Sequence, residues 1–192
     1  MTTTPNPVAL QPGEDLITLG GGCFWCTEAV FLRVKGVLGV ESGYTNGPVV
    51  SPNYEQVCSG STGHAEVVRV RFDTAVVSLE ELLQVFFTIH DPTTLNRQGA
   101  DVGTQYRSGI YYTRPEQLAV IRQVVDEAQR AHGGKVVTEV QPEQNYWPAE
   151  AYHQDYFANH PEQGYCAFVV APKVDKFAKK FKELLKDEAA GG

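Results

Sequence analysis

The stretch Ala65-Glu66-Val67-Val68-Arg69-Val70-Arg71-Phe72 decides how the chain is read. Val68, Val70 and Phe72 fall on one side by a period of two, and Arg69 and Arg71 fall on the other. That is a strand with one face on a core. Its surroundings alternate in type. Upstream, Leu16–Leu19 form a short apolar strand that runs into Gly20-Gly21-Gly22, and the TEAVFLRV that follows Cys23-Phe24-Trp25-Cys26 reads as helix. Val37–Tyr44 is a second extended stretch, and it leads into a long loop over 45–63 rich in Gly, Pro, Asn and Ser. Downstream, Ser78-Leu-Glu-Glu81 is a capping box that opens a helix with Leu82, Val85, Phe86 and Ile89 on its apolar face.

The remaining elements continue the alternation. A polar loop over 91–105 precedes a strand around Ser108–Tyr112. Thr113-Arg-Pro-Glu116 reads as a second capping box, and its helix runs through Leu118, Ile121, Val125 and Ala128 until Gly133-Gly134 stops it. Lys135–Val140 and Cys166–Val170 read as strands, and Tyr152–Phe157 as a helical turn. A last amphipathic helix over 172–188 carries Val174, Phe177, Phe181 and Leu184 at helical spacing, with its lysines on a solvated face. The chain is therefore expected to form one α/β or α+β domain over 1–192, with a loose tail over 1–14. Its loops are long, and long loops in a compact domain usually carry function. The glycine run lacks the G-x-G-x-x-G spacing, so it is not a dinucleotide fingerprint.

Composition narrows the function classes. The 192 residues are 42% hydrophobic and 20% charged, enough to fill a core. Sixteen basic against twenty-three acidic residues give a net charge of −7, which argues against binding nucleic acid through its phosphates. Residues 1–15 carry neither a basic n-region nor an apolar h-region, and no apolar run approaches the roughly 18 residues of a spanning helix. The expectation is a cytoplasmic chain with no membrane partner. No heptad or long apolar edge calls for a second copy, so a monomer is expected. In a reducing compartment the four cysteines (Cys23, Cys26, Cys58 and Cys166) are more often catalytic or metal-binding than structural.

Chemistry concentrates where the first strand ends. Three glycines allow a tight turn, and Cys23 then sits at the first turn of a helix. Unpaired N–H groups and the helix dipole there stabilise a thiolate and lower its pKa. The alternative is a small buried hydrophobe at a strand–helix junction. Cys23-x-x-Cys26 is compatible with a redox pair or with half a zinc site, but no second C-x-x-C exists and zinc would need His64 or His153. Glu66 has the parity of Val68, Val70 and Phe72. On an apolar face its pKa rises and it becomes a general acid; at a frayed strand edge it is an ordinary solvated carboxylate. Tyr54, Asp101 and Tyr106 lie in the two long loops, where two phenols and a carboxyl group suit a strongly accepting oxygen. Nothing near Cys58 activates a thiol, so it reads as structural.

Taken together, GCFWCTEAVF, GYTNG, NYEQVCSGSTGHAEVVRV, HDPTTLNRQGADVGTQYRSGIYY and YHQDYF…GYC resemble the peptide methionine sulfoxide reductase A family, collinearly over about residues 16–170. The resemblance implies an α+β two-layer sandwich with a ferredoxin-like core and long coils. It implies reduction of the S epimer of methionine sulfoxide, free or in proteins, with no cofactor and with thioredoxin as reductant. Cys23 then matches the nucleophile, and Phe24 and Trp25 match the walls around the substrate methyl. Glu66 matches the acid, Tyr54 and Tyr106 its hydrogen-bonding companions, and Asp101 the supporting carboxylate. Cys166 matches the resolving cysteine; Cys26, where many members carry Gly, is the alternative because it lies three residues from Cys23, within helical reach. The rival readings are a thioredoxin-like disulfide oxidoreductase, a zinc-dependent binding module and a redox sensor without turnover.

Overall fold

The computed structural model describes residues 9–186 and centres on a six-stranded mixed sheet. In chain order the elements are β1 (Glu14–Gly20), α1 (Phe24–Phe31), β2 (Val37–Thr45), α2 (Tyr54–Cys58), β3 (Ala65–Asp73) and α3 (Leu79–Ile89). There follow the short strands β4 (Arg97–Gln98) and β5 (Asp101–Val102), then β6 (Gly109–Tyr112), α4 (Leu118–Ala131), β7 (Glu139–Pro142), β8 (Trp147–Pro148), α5 (Tyr156–Asn159) and α6 (Ala171–Lys180). The sheet order is β7-β6-β1-β3-β2-β8; only β6 and β7 run parallel. Its inner four strands, reached in the order β1-α1-β2-β3-α3-β6, make the ferredoxin-like β-α-β-β-α-β arrangement. The expected two-layer α+β sandwich is the fold.

The two faces of β3 explain the layering. Val68, Val70 and Phe72 are at most 1% exposed and pack with Ile17 and Leu19 of β1 and with Phe31, Leu82 and Phe86 of the helices. Arg69 points the other way and is equally buried. Its Nε donates to Glu143 Oε2 at 3.2 Å, and its guanidinium carbon lies 3.6 Å from the Tyr146 ring centre. The Thr18 hydroxyl of β1 also donates to Glu143. The coil that leaves β7 thus covers the second face with a paired charge and an aromatic ring. Gly43 makes room for it, because a Cβ there would lie 2.4 Å from the Tyr146 hydroxyl oxygen.

Several expectations need correction. The loops over 45–63 and 91–105 hold α2, whose N-cap Asn53 forms a capping box with Gln56, and the β4–β5 hairpin. At the second expected box the closing residue is Gln117 rather than Glu116; its Oε1 accepts from the Thr113 N–H at 2.9 Å. The strand expected over 135–140 begins only at Glu139. Cys166–Val170 is not a strand but a π-helical segment leading into α6. Its β-branched residues favour a strand, yet Cys166 and Val170, four apart, are both buried against Cys26 and Ala29, and tertiary packing decides. The last helix spans Ala171–Lys180 rather than 172–188, because Phe181 leaves helical geometry at φ −123° and ψ 49°. Residues 1–8 of the expected tail and 187–188 of the expected helix lie outside the described residues. Among the described residues no helix is long and apolar enough to cross a membrane.

The buried pair gives a test of the packing. Removing Glu143 takes the countercharge from a buried guanidinium, so Glu143→Ala is expected to lose about 3–5 kcal/mol in urea unfolding. Arg71 pairs with Glu14 at 3.1 Å but is 37% exposed, and Arg71→Ala is expected to lose less than about 1 kcal/mol. Equal losses would contradict this account of the second face.

Candidate active site

β1 delivers the chain to a glycine turn that only a residue without Cβ completes. Gly22 has φ +92°, and a Cβ there would lie 2.7 Å from Gln98 Cγ. Cys23 follows as the N-cap of α1, in extended geometry, with no capping hydrogen bond through its side chain. The helix terminus was expected to lower the thiol pKa, and here the structure corrects the reading. Burial, then the neighbouring Glu66 and Cys26, hold the Cys23 thiol well above its ordinary value, and the Trp25 N–H only partly opposes them. A dipole at a helix end is outweighed by removal from water beside a carboxyl group.

Glu66 is on the apolar face, as its parity with Val68 suggested, and is 1% exposed. Its Oε1 accepts the Phe24 N–H at 3.2 Å, while its buried Oε2 has no hydrogen-bond partner among the described residues. Burial, with Asp101 adding to it, pushes its carboxyl up to about 8 against the pull of the Phe24 N–H. At neutral pH Glu66 therefore holds a proton.

The loop residues converge on the same place. Tyr54 is the first residue of α2, and Tyr106 ends the 3₁₀ turn Thr104–Tyr106. Both hydroxyls are half-buried, are held up by burial and sense Glu66. Both hydroxyls lie close enough to Cys58 to oppose the rise that burial imposes on its thiol, so Cys58 neighbours the site. Asp101 on β5 accepts the Tyr165 hydroxyl, which also contacts the Cys26 sulfur. A pocket of about 190 Å³ lies between, lined by Cys23, Gln98, Asp101, Tyr165, Val169 and Lys173.

An aromatic layer holds the two residues after Cys23. Trp25 stacks on Tyr156 with ring centres 3.8 Å apart, and its indole N–H donates to His153 Nδ1 at 3.0 Å. Indole only donates, so His153 carries its proton on Nε2. Phe24 is fully buried against Tyr44, Tyr54 and His153. Glu150 accepts the Tyr44 hydroxyl at 2.9 Å and the Tyr54 N–H at 3.0 Å, which fixes the start of α2. Sequence reasoning gave no roles to Glu150, Tyr156 or Tyr165 and weighed His153 only as a zinc ligand. Their signal was the density of aromatic and histidine residues over 152–165.

The thiols are arranged in sequence. All four are free; Cys166 is covered but shallow, and it packs in one cluster with Cys26 and Ala29. Cys26 thus neighbours Cys166 on one side and Cys23 on the other. The histidines weighed for zinc are otherwise engaged: His64 Nδ1 accepts the Gly47 N–H and its Nε2 reaches Val49 O, while His153 serves Trp25. Among the described residues no group of three or more His, Cys, Asp or Glu is placed to hold a metal ion.

Against known proteins, residues 15–185 match the family model described as peptide methionine sulfoxide reductase. A peptide methionine sulfoxide reductase MsrA of Saccharolobus solfataricus is 52% identical over 172 residues, covering 90% of this chain and 97% of that protein. The reduced form of Mxr1 from Saccharomyces cerevisiae is similar at TM-score 0.77 and 36% identity, covering 86% of this chain and 96% of that one. Mxr1 in complex with Trx2 is similar at TM-score 0.55 and 29% identity, covering 78% and 89%.

A raised carboxyl pKa is also a stability statement. The proton on Glu66 favours the fold fully below the unfolded pKa of about 4.3, and that contribution is lost as pH rises toward about 8. Glu66→Gln is therefore expected to unfold at higher denaturant than the parent at pH 8 and to match it near pH 4.5. A parent that gains on the variant as pH rises would contradict the assignment.

Proposed function

The chain belongs to the peptide methionine sulfoxide reductase family and is an oxidoreductase that reduces methionine sulfoxide; from that premise we propose that Cys23 attacks the sulfoxide sulfur while Glu66 protonates the oxygen. The observation that carries this reading is the buried, unpartnered Oε2 of a protonated Glu66 beside Cys23. A carboxylate and a thiolate side by side repel, so the proton on Glu66 is what permits Cys23 to ionise. Tyr54 and Tyr106, whose hydroxyls both sense Glu66, are proposed to hydrogen-bond the sulfoxide oxygen. Phe24 and Trp25 are proposed to wall the substrate methyl. Asp101, through Tyr165, is proposed to support the network.

In the step proposed, the substrate sulfur–oxygen bond breaks, methionine leaves as its thioether and the oxygen ends on Cys23 as a sulfenic acid. The proton lost by the Cys23 thiol restores Glu66. A second thiol then condenses with the sulfenic acid, forming a disulfide and releasing water. The resemblance implies Cys166 for this role. The packing favours Cys26 first, with Cys166 then attacking the Cys26 sulfur and freeing Cys23, because Cys26 lies beside both. We take the external reductant to be thioredoxin, as the complex of the yeast relative suggests. Thiols and Glu66 together supply the electrons and proton, so the proposed cycle uses no prosthetic group. Both free and protein-bound methionine sulfoxide are proposed as substrates of a cytoplasmic monomer, a reading that rests on the sequence.

The experiment is NADPH-coupled reduction of racemic methionine sulfoxide with thioredoxin and its reductase. Half of the racemate is expected to be consumed; no consumption overturns the reading. Glu66→Gln is expected to lower kcat by about 10²–10⁴ while iodoacetamide still alkylates Cys23 at the parental rate. A thioredoxin-like oxidoreductase would instead reduce insulin disulfides with no dependence on Glu66. Disulfide mapping after one equivalent of substrate is expected to give a Cys23–Cys26 bond in Cys166→Ser and a Cys26–Cys166 bond in the parent. Formation of Cys23–Cys166 in Cys26→Ser at the parental rate would remove Cys26 from the route.

A further inference from the structure

Phe168 is 84% exposed, while Cys166, two residues before it, is wholly covered. Its ring stacks on no aromatic side chain among the described residues and takes no part in the layer that holds Trp25. Val102, 70% exposed, stands beside Asp101 on β5, and the Asp101–Tyr165 hydrogen bond ties that strand to the segment carrying Phe168. Each exposed apolar residue is the chain neighbour of a residue that lines the cysteine pocket, Phe168 of Val169 and Val102 of Asp101. Apolar surface held in water beside a reactive site marks a place where another molecule settles.

We infer that Phe168, with Val102 beside it, is the anchor on which a thioredoxin-class dithiol protein docks to reset the enzyme. The inference rests on the reading that a disulfide ending on Cys166 is reduced from outside. Exchange requires a thiolate to reach a disulfide sulfur, and the Cys166 sulfur is covered but lies just beneath the surface. The reductant must therefore engage the segment that covers it. That segment is irregular: Cys166–Val170 is a single π-helical turn with two adjacent valines, a poor sequence for any helix, and it is packing of Cys166 and Val170 on α1 that holds it. Docking on Phe168 takes hold of the segment that has to move. The incoming thiolate then attacks the Cys166 sulfur, the S–S bond breaks and Cys26 leaves as a thiolate. The partner's second thiol attacks the mixed disulfide, releasing Cys166 and leaving the partner oxidised.

The test is steady-state turnover of peptide methionine sulfoxide by the full chain, driven by thioredoxin or by dithiothreitol. Phe168→Ala is expected to raise the KM for thioredoxin about tenfold, as loss of an aromatic anchor does. Dithiothreitol-driven kcat and the KM for the peptide should stay at parental values, and Phe168→Leu should recover most of the loss. An unchanged thioredoxin KM overturns the inference. So does a raised peptide KM, which would assign the ring to the oxidised polypeptide, or an equal fall of both driven rates, which would assign it to the fold. A parent that turns over with dithiothreitol but not with thioredoxin would instead overturn the recycling reading itself.

Discussion

A carboxyl group buried at the end of an apolar strand face is the constraint from which the rest of the site follows. Glu66 lies in register with Val68, Val70 and Phe72, so the strand that builds the core also carries an ionisable group out of water. A buried carboxylate is costly, and the Phe24 N–H, its one donor, satisfies a single oxygen. Keeping the proton is the cheaper solution. The fold thereby keeps a proton on Glu66 at neutral pH through burial and register, as the proposed role of general acid requires.

The same dryness governs the thiols. Cys23 is at a helix end, yet its environment keeps it protonated at rest, and Cys26 is lifted by burial as well. A resting pocket of neutral thiols and a neutral acid resists adventitious oxidation, since the thiolate is the reactive form. In the proposed step, reactivity depends on the arrival of an oxygen that can take the Glu66 proton. The aromatic layer fixes Trp25 through His153 and Tyr156, which holds the residues following Cys23 in position.

How much of this was legible in the sequence follows from the range of the interactions involved. The β3 pattern, the Ser78 cap and the glycine turn before Cys23 are local, and the structure has them where the sequence put them. The parity of Glu66 left burial and fraying equally open, because parity says nothing of what covers a strand end; α1 covers it, with the Phe24 N–H on its carboxyl. The error at Cys166–Val170 has a physical cause. Its composition favours a strand, but contacts with α1 impose a period of four, and those contacts are 140 residues distant in sequence. The nearness of Cys58 to Tyr54 and Tyr106 was hidden for a similar reason, since Tyr106 comes from a turn far along the chain, while its raised thiol agrees with the reading that nothing activates it. The roles of His153 and Tyr165 depend on partners more than sixty residues away, Trp25 and Asp101, and no local pattern encodes them.

Infrared titration of the Glu66 carboxyl, as the difference between the parent and Glu66→Gln, tests the central claim most directly. The account predicts a protonated carboxyl band that persists at neutral pH and vanishes with a midpoint near 8. A midpoint near the ordinary glutamate value of about 4.3 would contradict it, leaving Glu66 an anion without a proton to give.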